Sequence, residues 1–519
     1  MIGQVWAIAT VARANTLLGE RPDRRLRALL ALLPYGSTML GAVAAGSARY
    51  PHALAIVDDD GAVTYAELWA DSTSLARGLQ AVGVGPHDRI GILCRNSSRF
   101  AVALLGGAKL GADLVFLNTG LAGPQLADVV EAERVSVLIH DTDFAEIVAP
   151  MTGPLRLDDA AVTRLVRDTP SGALAAPPRT SRLVILTSGT TGRPKGAARG
   201  ADGAAAAATA ALLGRIPLRA RDTLVLTAPF FHAWGLANLT IGLALSATVV
   251  TRRHFDPERT LRDVGEYRAR GLIAVPAMMQ RICSLPPAVL AECDTSSLRV
   301  IACSGSALPG RLATEILDRF GPVLYNVYGS TEVATATIAT PSELRSCPTT
   351  AGRPAPGVRV QILDGEGRPV APGRTGRVFV GSASSFEGYT DGGNKEARSG
   401  LLATGDLGHL DSGGRLHIDG REDDMIVSGG ENVYPVEVEE LLGQHPDVAE
   451  VVVVGVADEK FGQALKAVVV LRDGGDVDAD TLREFVRSRL ARYKVPRSVE
   501  FLDELPRNAT GKILRGRLT

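Results

Sequence analysis

Eleven residues, Leu186-Thr-Ser-Gly-Thr-Thr-Gly-Arg-Pro-Lys-Gly196, have the make-up of an anion-binding loop. Thr187, Ser188, Thr190 and Thr191 supply hydroxyl donors. Gly189 and Gly192 let backbone N–H groups turn toward one anion, and Lys195 supplies charge. The string is not a Walker A loop, which ends in Gly-Lys-Ser/Thr; here Pro194 precedes Lys195 and Gly196 follows it. Of the 56 basic residues only seven are lysines, at positions 109, 195, 395, 460, 466, 494 and 512. A chain that uses arginine so freely and keeps a lysine in a glycine-rich loop needs a compact, rotatable cation there, not a planar fork.

Four more strings follow: Tyr325-Asn-Val-Tyr-Gly-Ser-Thr-Glu332, Thr404-Gly-Asp406, Asp419-Gly-Arg421 and Pro506-Arg-Asn-Ala-Thr-Gly-Lys512. With the loop, and in this order, they resemble the motifs of the adenylate-forming enzymes, the superfamily of acyl-CoA synthetases, luciferases and peptide-synthetase adenylation domains. Within it they are most similar to bacterial fatty-acid–CoA ligases, and the resemblance runs over about residues 45–519. It implies ATP, Mg2+ and CoA. A carboxylate is a poor acyl donor until attack on the α-phosphate of ATP makes an acyl-adenylate, which a thiol then displaces. Two anions must therefore be neutralised and aligned.

The resemblance also implies roles. The loop residues Thr187 to Gly192 and Lys195 hold phosphates, and Thr331 contacts the α-phosphate. Glu332, with Thr191, holds Mg2+ through hard oxygen ligands. Tyr328 stacks on adenine beside Asn326 and Gly329, with Gly305, Ser306 and Ala307 as the opposite wall. Asp406 accepts from the ribose hydroxyls, a task suited to two acceptor oxygens, and Arg421 contacts ribose and phosphate. Lys512 bridges the substrate carboxylate and the α-phosphate. Asp423 takes the hinge position of a rotating small lobe, and Gly429 and Gly430 border the pantetheine channel.

For the acid, Pro229-Phe-Phe-His-Ala-Trp-Gly235 resembles the motif beside the acyl site of fatty-acid enzymes. It implies His232 at the carboxylate end and Trp234 in the acyl tunnel, with Met278 of Pro276-Ala-Met-Met-Gln280 on the far wall. No acidic residue stands near that motif to hold an amine, which disfavours amino acids. The expected reaction is ATP-dependent activation of a medium- or long-chain fatty acid and its transfer to CoA. The alternatives are a fatty acyl-AMP ligase that loads a carrier protein and a ligase for aryl or other acids. A nucleotide sensor is disfavoured, because Lys195, Glu332, Asp406, Arg421 and Lys512 are all present.

The elements that must position these residues are legible as a pattern. Short β-branched runs (Val135–Ile139, Leu183–Leu186, Leu272–Val275, Val300–Ala302) alternate with helical stretches such as Ala204–Leu213 and Arg311–Arg319. That alternation predicts an α/β fold with doubly wound, largely parallel sheets. After about residue 355, short strands split by Gly/Asp turns predict a small antiparallel or barrel-like unit. Beyond Arg421-Glu-Asp-Asp424, about a hundred residues of α+β texture predict a small mobile C-terminal domain. The expected division is a helical extension over 1–40, a large domain over 41–421 and a small domain over 422–519.

A chain of 519 residues with net charge −1 offers no bulk attraction for nucleic acid. Five scattered cysteines without a C-x-x-C predict reduced thiols in the cytoplasm, not a disulfide framework or zinc site. The uncharged run over 223–251 is interrupted by Pro229, His232, Gly235 and Asn238, so it predicts buried α/β structure instead of a membrane span. Residues 1–33 carry Trp6, Ile8, Leu17 and Leu18 and a net charge of +3, with no basic stretch before the apolar run. They read as amphipathic helices packed on the body, or as an interfacial segment touching anionic lipid. Monomer and homodimer both remain open.

Overall fold

The computed structural model describes residues 10–11, 13–14, 20–187, 195–199, 204–428, 431–458, 462–508 and 511–519. Two sheets with parallel centres build the large lobe. One has nine strands, and its parallel run is Leu324–Ser330, Val300–Cys303, Gly271–Ala274, Thr223–Leu226, Thr248–Val250, Leu54–Asp58. The other has seven, with Leu183–Thr187, Asp113–Phe116, Arg89–Leu93, Val137–His140 and Leu155–Leu157 parallel. Strands buried on both faces read as continuous apolar runs, and Val300–Cys303 and Gly271–Ala274 are buried throughout.

Local chemistry starts and stops the helices between them. Thr64 and Glu67 form a reciprocal capping box at the start of Tyr65–Ala81. Ser97 caps Ser98–Leu110, which ends at Gly111 with φ +75°. The run that hydropathy alone would flag is a strand, a turn and the helix Ala233–Ala244. Among the described residues no helix is long and apolar enough to cross a membrane.

The unit expected after residue 355 is a five-stranded antiparallel sheet built on Arg359–Leu363, Gly376–Gly381, Leu401–Leu410 and Leu416–Arg421. The C-terminal lobe pairs Val448–Asp458 with Gly462–Leu471 and adds Ser498–Phe501 in parallel. At the other end, Pro22–Leu32 is a helix, and a turn leads to a second helix, Met39–Arg49. Residue 40, expected as the border of the extension, lies buried inside that second helix. Burial raises the Glu20 carboxyl, but bonds from Tyr50, Arg49 and the Arg21 N–H outweigh it and hold the group down to about 2.

One of the scarce lysines is structural. Lys109 is buried, with its nitrogen over the Trp69 ring at 3.6 Å and within 2.7–2.8 Å of the Trp69 carbonyl oxygen and the Ser72 and Thr73 hydroxyls. The five cysteines are free, and no metal-ligating cluster occurs among the described residues.

Candidate active site

A cavity of about 2200 Å³ opens where the two large sheets, the antiparallel sheet and the small lobe meet. It is lined by Thr187, Lys195, Gly305, Ser306, Ala307, Asn326, Tyr328, Gly329, Thr331, Glu332, Asp406, Arg421, Asp423 and Lys512, all expected from the sequence. Residues 188–194, and so Ser188, Gly189, Thr190, Thr191 and Gly192, lie outside the described residues, as do Gly429 and Gly430.

The strand Leu324–Ser330 brings Asn326 and Tyr328 to the cavity and turns sharply into Ala334–Ala339. Ser330 Oγ accepts from the N–H groups of Glu332 and Val333 at 3.2 and 3.4 Å, which fixes the turn that presents Glu332. The Glu332 carboxylate is largely buried and accepts from the Tyr389 hydroxyl at 2.7 Å. Tyr389 lies on the two-residue strand Gly388–Tyr389, paired with Lys195–Arg199. Two residues on, Asp391 pairs with Lys195 at 3.1 Å. One short edge strand and the turn after it therefore hold both the phosphate-loop lysine and the acidic residue. Sequence reasoning missed Tyr389 and Asp391; their only signal was the turn composition Gly388-Tyr-Thr-Asp-Gly392. An oxygen-only donor set around Glu332 fits a hard divalent cation.

At the other end of the nucleotide region, Asp406 and Arg421 face each other across adjacent strands. Tyr328 donates to Asp406 Oδ2 at 2.5 Å, so the ring expected beside adenine also anchors the carboxylate expected at ribose. Burial pushes the Asp406 carboxyl up, opposed by Tyr328 and Arg421. Arg421 lies 3.5 Å from Asp406 and bonds Asp423 at 2.7 Å. Asp423, expected at the hinge, is in this structure the anchor of Arg421.

The small lobe delivers Lys512 into the same cavity. Its loop is a tight turn: the Lys512 N–H donates to Asn508 Oδ1, and the Asn508 N–H donates to the Lys512 carbonyl, both at 2.9 Å. Gly511 sits at φ +82°, and a Cβ there would stand 3.2 Å from Val275 and 3.4 Å from Ala277, so glycine permits both the turn and the docking. Arg507 clamps the loop, donating to the Gly511 carbonyl at 2.7 Å and to Glu450 at 2.8 Å. Burial, with the nearby Lys512 charge, pushes the His232 imidazole down to about 4. His232 is therefore neutral at pH 7 and shares the cavity with the lysine. Contacts from Arg311 to the Val448 carbonyl at 2.8 Å and from the Gly310 N–H to Glu440 at 3.4 Å join the lobes in this orientation.

From His232 the cavity continues between Ala233–Ala244 and Ala204–Leu213, lined by Trp234, Leu236, Ala237, Thr240 and Ile241 on one helix and by Ala208, Thr209 and Leu212 on the other. Gly235 makes the sharp entry to the first helix possible, since a Cβ there would lie 2.0 Å from the Pro229 carbonyl oxygen. Trp234 lines the cavity as expected, but its indole N–H donates to the Ala274 carbonyl at 3.1 Å, which ties it to the sheet as a fixed wall. Met278 is a correction. Ala277 and Gln280 face the cavity, whereas helical phase turns Met278 into the seam between the two large core clusters.

Known proteins resemble this chain along most of its length. The family described as AMP-binding enzyme matches residues 43–390, and the AMP-binding enzyme C-terminal domain matches 437–512. An indoleacetate–CoA ligase from Aromatoleum aromaticum is 36% identical over 475 residues, covering 87% of this chain and 91% of that protein. A feruloyl-CoA synthase from an Amycolatopsis species is 37% identical over 483 residues, covering 90% and 95%. Among solved structures, the o-succinylbenzoate CoA synthetase of Bacillus subtilis in complex with its acyl-adenylate intermediate superimposes with a TM-score of 0.80 at 29% identity, covering 92% of this chain and 97% of that one.

Proposed function

Because the chain belongs to the AMP-binding enzyme family, within the adenylate-forming superfamily, we propose that it is an ATP-dependent, AMP-forming acid–CoA ligase whose acid carries an uncharged aryl or arylalkyl tail. The observation that carries this reading is the nearness of Lys512 and neutral His232 where the cavity passes between two helices without charged side chains, beside the residues suited to a nucleotide.

In the first step a carboxylate oxygen attacks the α-phosphorus of ATP and pyrophosphate leaves. The Lys512 ammonium donates to the carboxylate and to an α-phosphate oxygen, offsetting the repulsion of two anions. His232, being neutral, orients the carboxylate as a donor without adding charge. Lys195 holds phosphate oxygens, and Asp406 accepts from ribose while Tyr328 keeps it in place. Glu332 would hold Mg2+, which neutralises phosphate charge when bound. In the second step the CoA thiol loses its proton to solvent, its sulfur attacks the acyl carbon, and AMP leaves with the electron pair of the bond between that carbon and the phosphate oxygen. Lys512 serves only the first step, so the second belongs to an orientation reached by rotating the small lobe about residues 421–424.

The tail reading rests on the walls. The two helices bring no charged side chain into the cavity, and Arg179, which also lines it, is committed to Asp113 at 2.7 Å and to the Pro86 and Gly111 carbonyls. Among the described residues of these two helix walls and Arg179, a second carboxylate on the tail would find no uncommitted cation. Ala208, Thr209 and Ala237 leave width for a ring. Leu212, Leu236 and Ile241 favour a second reading, a medium-chain fatty acid. A panel of aryl, arylalkyl and aliphatic acids with ATP, Mg2+ and CoA, scored for AMP, pyrophosphate and thioester, decides. Turnover of amino acids alone would end the proposal.

The setting proposed is cytoplasmic with peripheral membrane contact. Leu26, Leu29, Leu30 and Leu33, at 58%, 62%, 55% and 77% exposure, line one side of Pro22–Leu32 at helical spacing, with Arg25 and Arg27 flanking them.

A further inference from the structure

We infer that the turn over 34–38 and the start of the Met39–Arg49 helix after it form the floor of the acid cavity, and that Tyr35 and Met39 set how long a tail the enzyme accepts. The inference rests on the ligase reading above and adds where the acid is measured.

Two rulers give the cavity its direction. The strand Leu183–Thr187 lines it through Leu183, Ile185, Leu186 and Thr187, and at ~3.3 Å per residue Leu183 stands about 13 Å from the phosphate-loop end. The helix Ala233–Ala244 lines it through residues spaced three and four apart, so the lining continues about 13 Å from His232 to Ile241 at ~1.5 Å per residue. The lining also includes Ser181, Ala108 and, from the N-terminal turn and the helix start after it, Tyr35, Thr38 and Met39. Ala108 lies in the last turn of the helix that leads into Asp113–Phe116, whose Leu114 pairs with Leu183. The Tyr35 ring meets the Trp69 ring edge-on at 5.7 Å, and Trp69 in turn carries the Lys109 amine, next in the chain to Ala108. That chain of contacts fixes Tyr35 at the end remote from Lys195.

The two side chains differ in kind. Tyr35 is backed by a ring that is itself backed by a buried, triply bonded lysine, so it cannot retreat without disturbing a packed stack. Met39 is unbranched and adaptable, and packs on the core only in part. A rigid stop beside a yielding one sets a length limit while tolerating differences in shape.

The test uses the full chain and a series of ω-phenylalkanoic acids of increasing length. Initial rates of thioester formation are measured for wild type, Tyr35→Ala, Met39→Ala and Met39→Trp, and each acid is titrated into each protein by calorimetry. The ratio of kcat/KM for the longest over the shortest acid should rise about tenfold or more in Tyr35→Ala and fall by a similar factor in Met39→Trp, the scale on which apolar pockets sense a methylene. The change should lie in KM for the acid, with KM for ATP as in wild type. The two variants push in opposite directions, so general loss of folding cannot mimic the pair; Met39→Phe takes the place of Met39→Trp if the larger residue prevents folding, and Met39→Ala should move the ratio the same way as Tyr35→Ala. Length dependence within twofold of wild type in every variant places the floor elsewhere. If calorimetry shows the length shift while no protein forms thioester, the floor stands and the ligase reading falls.

Discussion

Arg507→Ala should slow adenylation without stopping it and leave thioester formation alone. Arg507 lines the cavity, but its described bonds go to the Gly511 carbonyl at 2.7 Å and to Glu450 at 2.8 Å, within the small lobe. A charge-assisted hydrogen bond is worth about 1.5–3 kcal/mol. Two features place this one at the low end. The Arg507 and Glu450 side chains are 27% and 24% exposed, so water screens the pair. The turn also keeps both bonds between Asn508 and Lys512. A loss of about 1.4 kcal/mol in holding Lys512 at the carboxylate is about tenfold in rate. Lys512→Ala removes the ammonium itself and should cost on the order of 10²–10³. The assay is ATP–pyrophosphate exchange for the first step and CoA addition to preformed acyl-adenylate for the second, on variants with wild-type circular dichroism. Two results would refute the reasoning. Equal loss in the two variants would make Arg507 a substrate contact, and no loss in Arg507→Ala would mean that docking of Gly511 on Val275 alone holds the loop.

Tyr389→Phe removes the donor to Glu332 and should raise the KM for MgATP about tenfold, at the ~1.5 kcal/mol scale of a hydrogen bond to a charged group; unchanged nucleotide kinetics would show that the bond does not position Glu332. Burial pushes the Lys109 amine down to about 6, below its unfolded value of ~10.4. The unfolded chain therefore binds the extra proton between those values, and stability should rise with pH across that window, by about 1.4 kcal/mol per pH unit from this group. Lys109→Met should flatten the rise in Tm between pH 7 and 9.5; equal slopes in the two proteins would contradict it. Replacing Leu29 and Leu33 together by serine should abolish sedimentation with anionic vesicles at low salt, because the apolar row is the part that enters the interface; vesicle binding equal to wild type would remove the membrane proposal.

What the sequence by itself determined is local. Lys195, Glu332, Asp406, Arg421 and Lys512 were readable because each sits in a short string whose glycines and hydroxyls announce a turn, and all five line the cavity. The alternation of strands and helices was readable for the same reason: period and turn chemistry act within about ten residues. Tertiary structure alone decided which residues serve those five. Tyr389 stands 57 positions from Glu332, and Arg507 57 from Glu450, and no pattern in a single chain marks such pairs. It decided between Ala277 and Met278, neighbours on one helix that differ only in which way helical phase turns them. It placed Lys512 near His232, since the orientation of one lobe on another depends on surfaces far apart in sequence. The floor of the acid cavity was hidden for the same reason. Tyr35 and Met39 precede every motif by well over a hundred residues, and only packing of the Met39–Arg49 helix against the body brings them beneath the strand that ends in the phosphate loop.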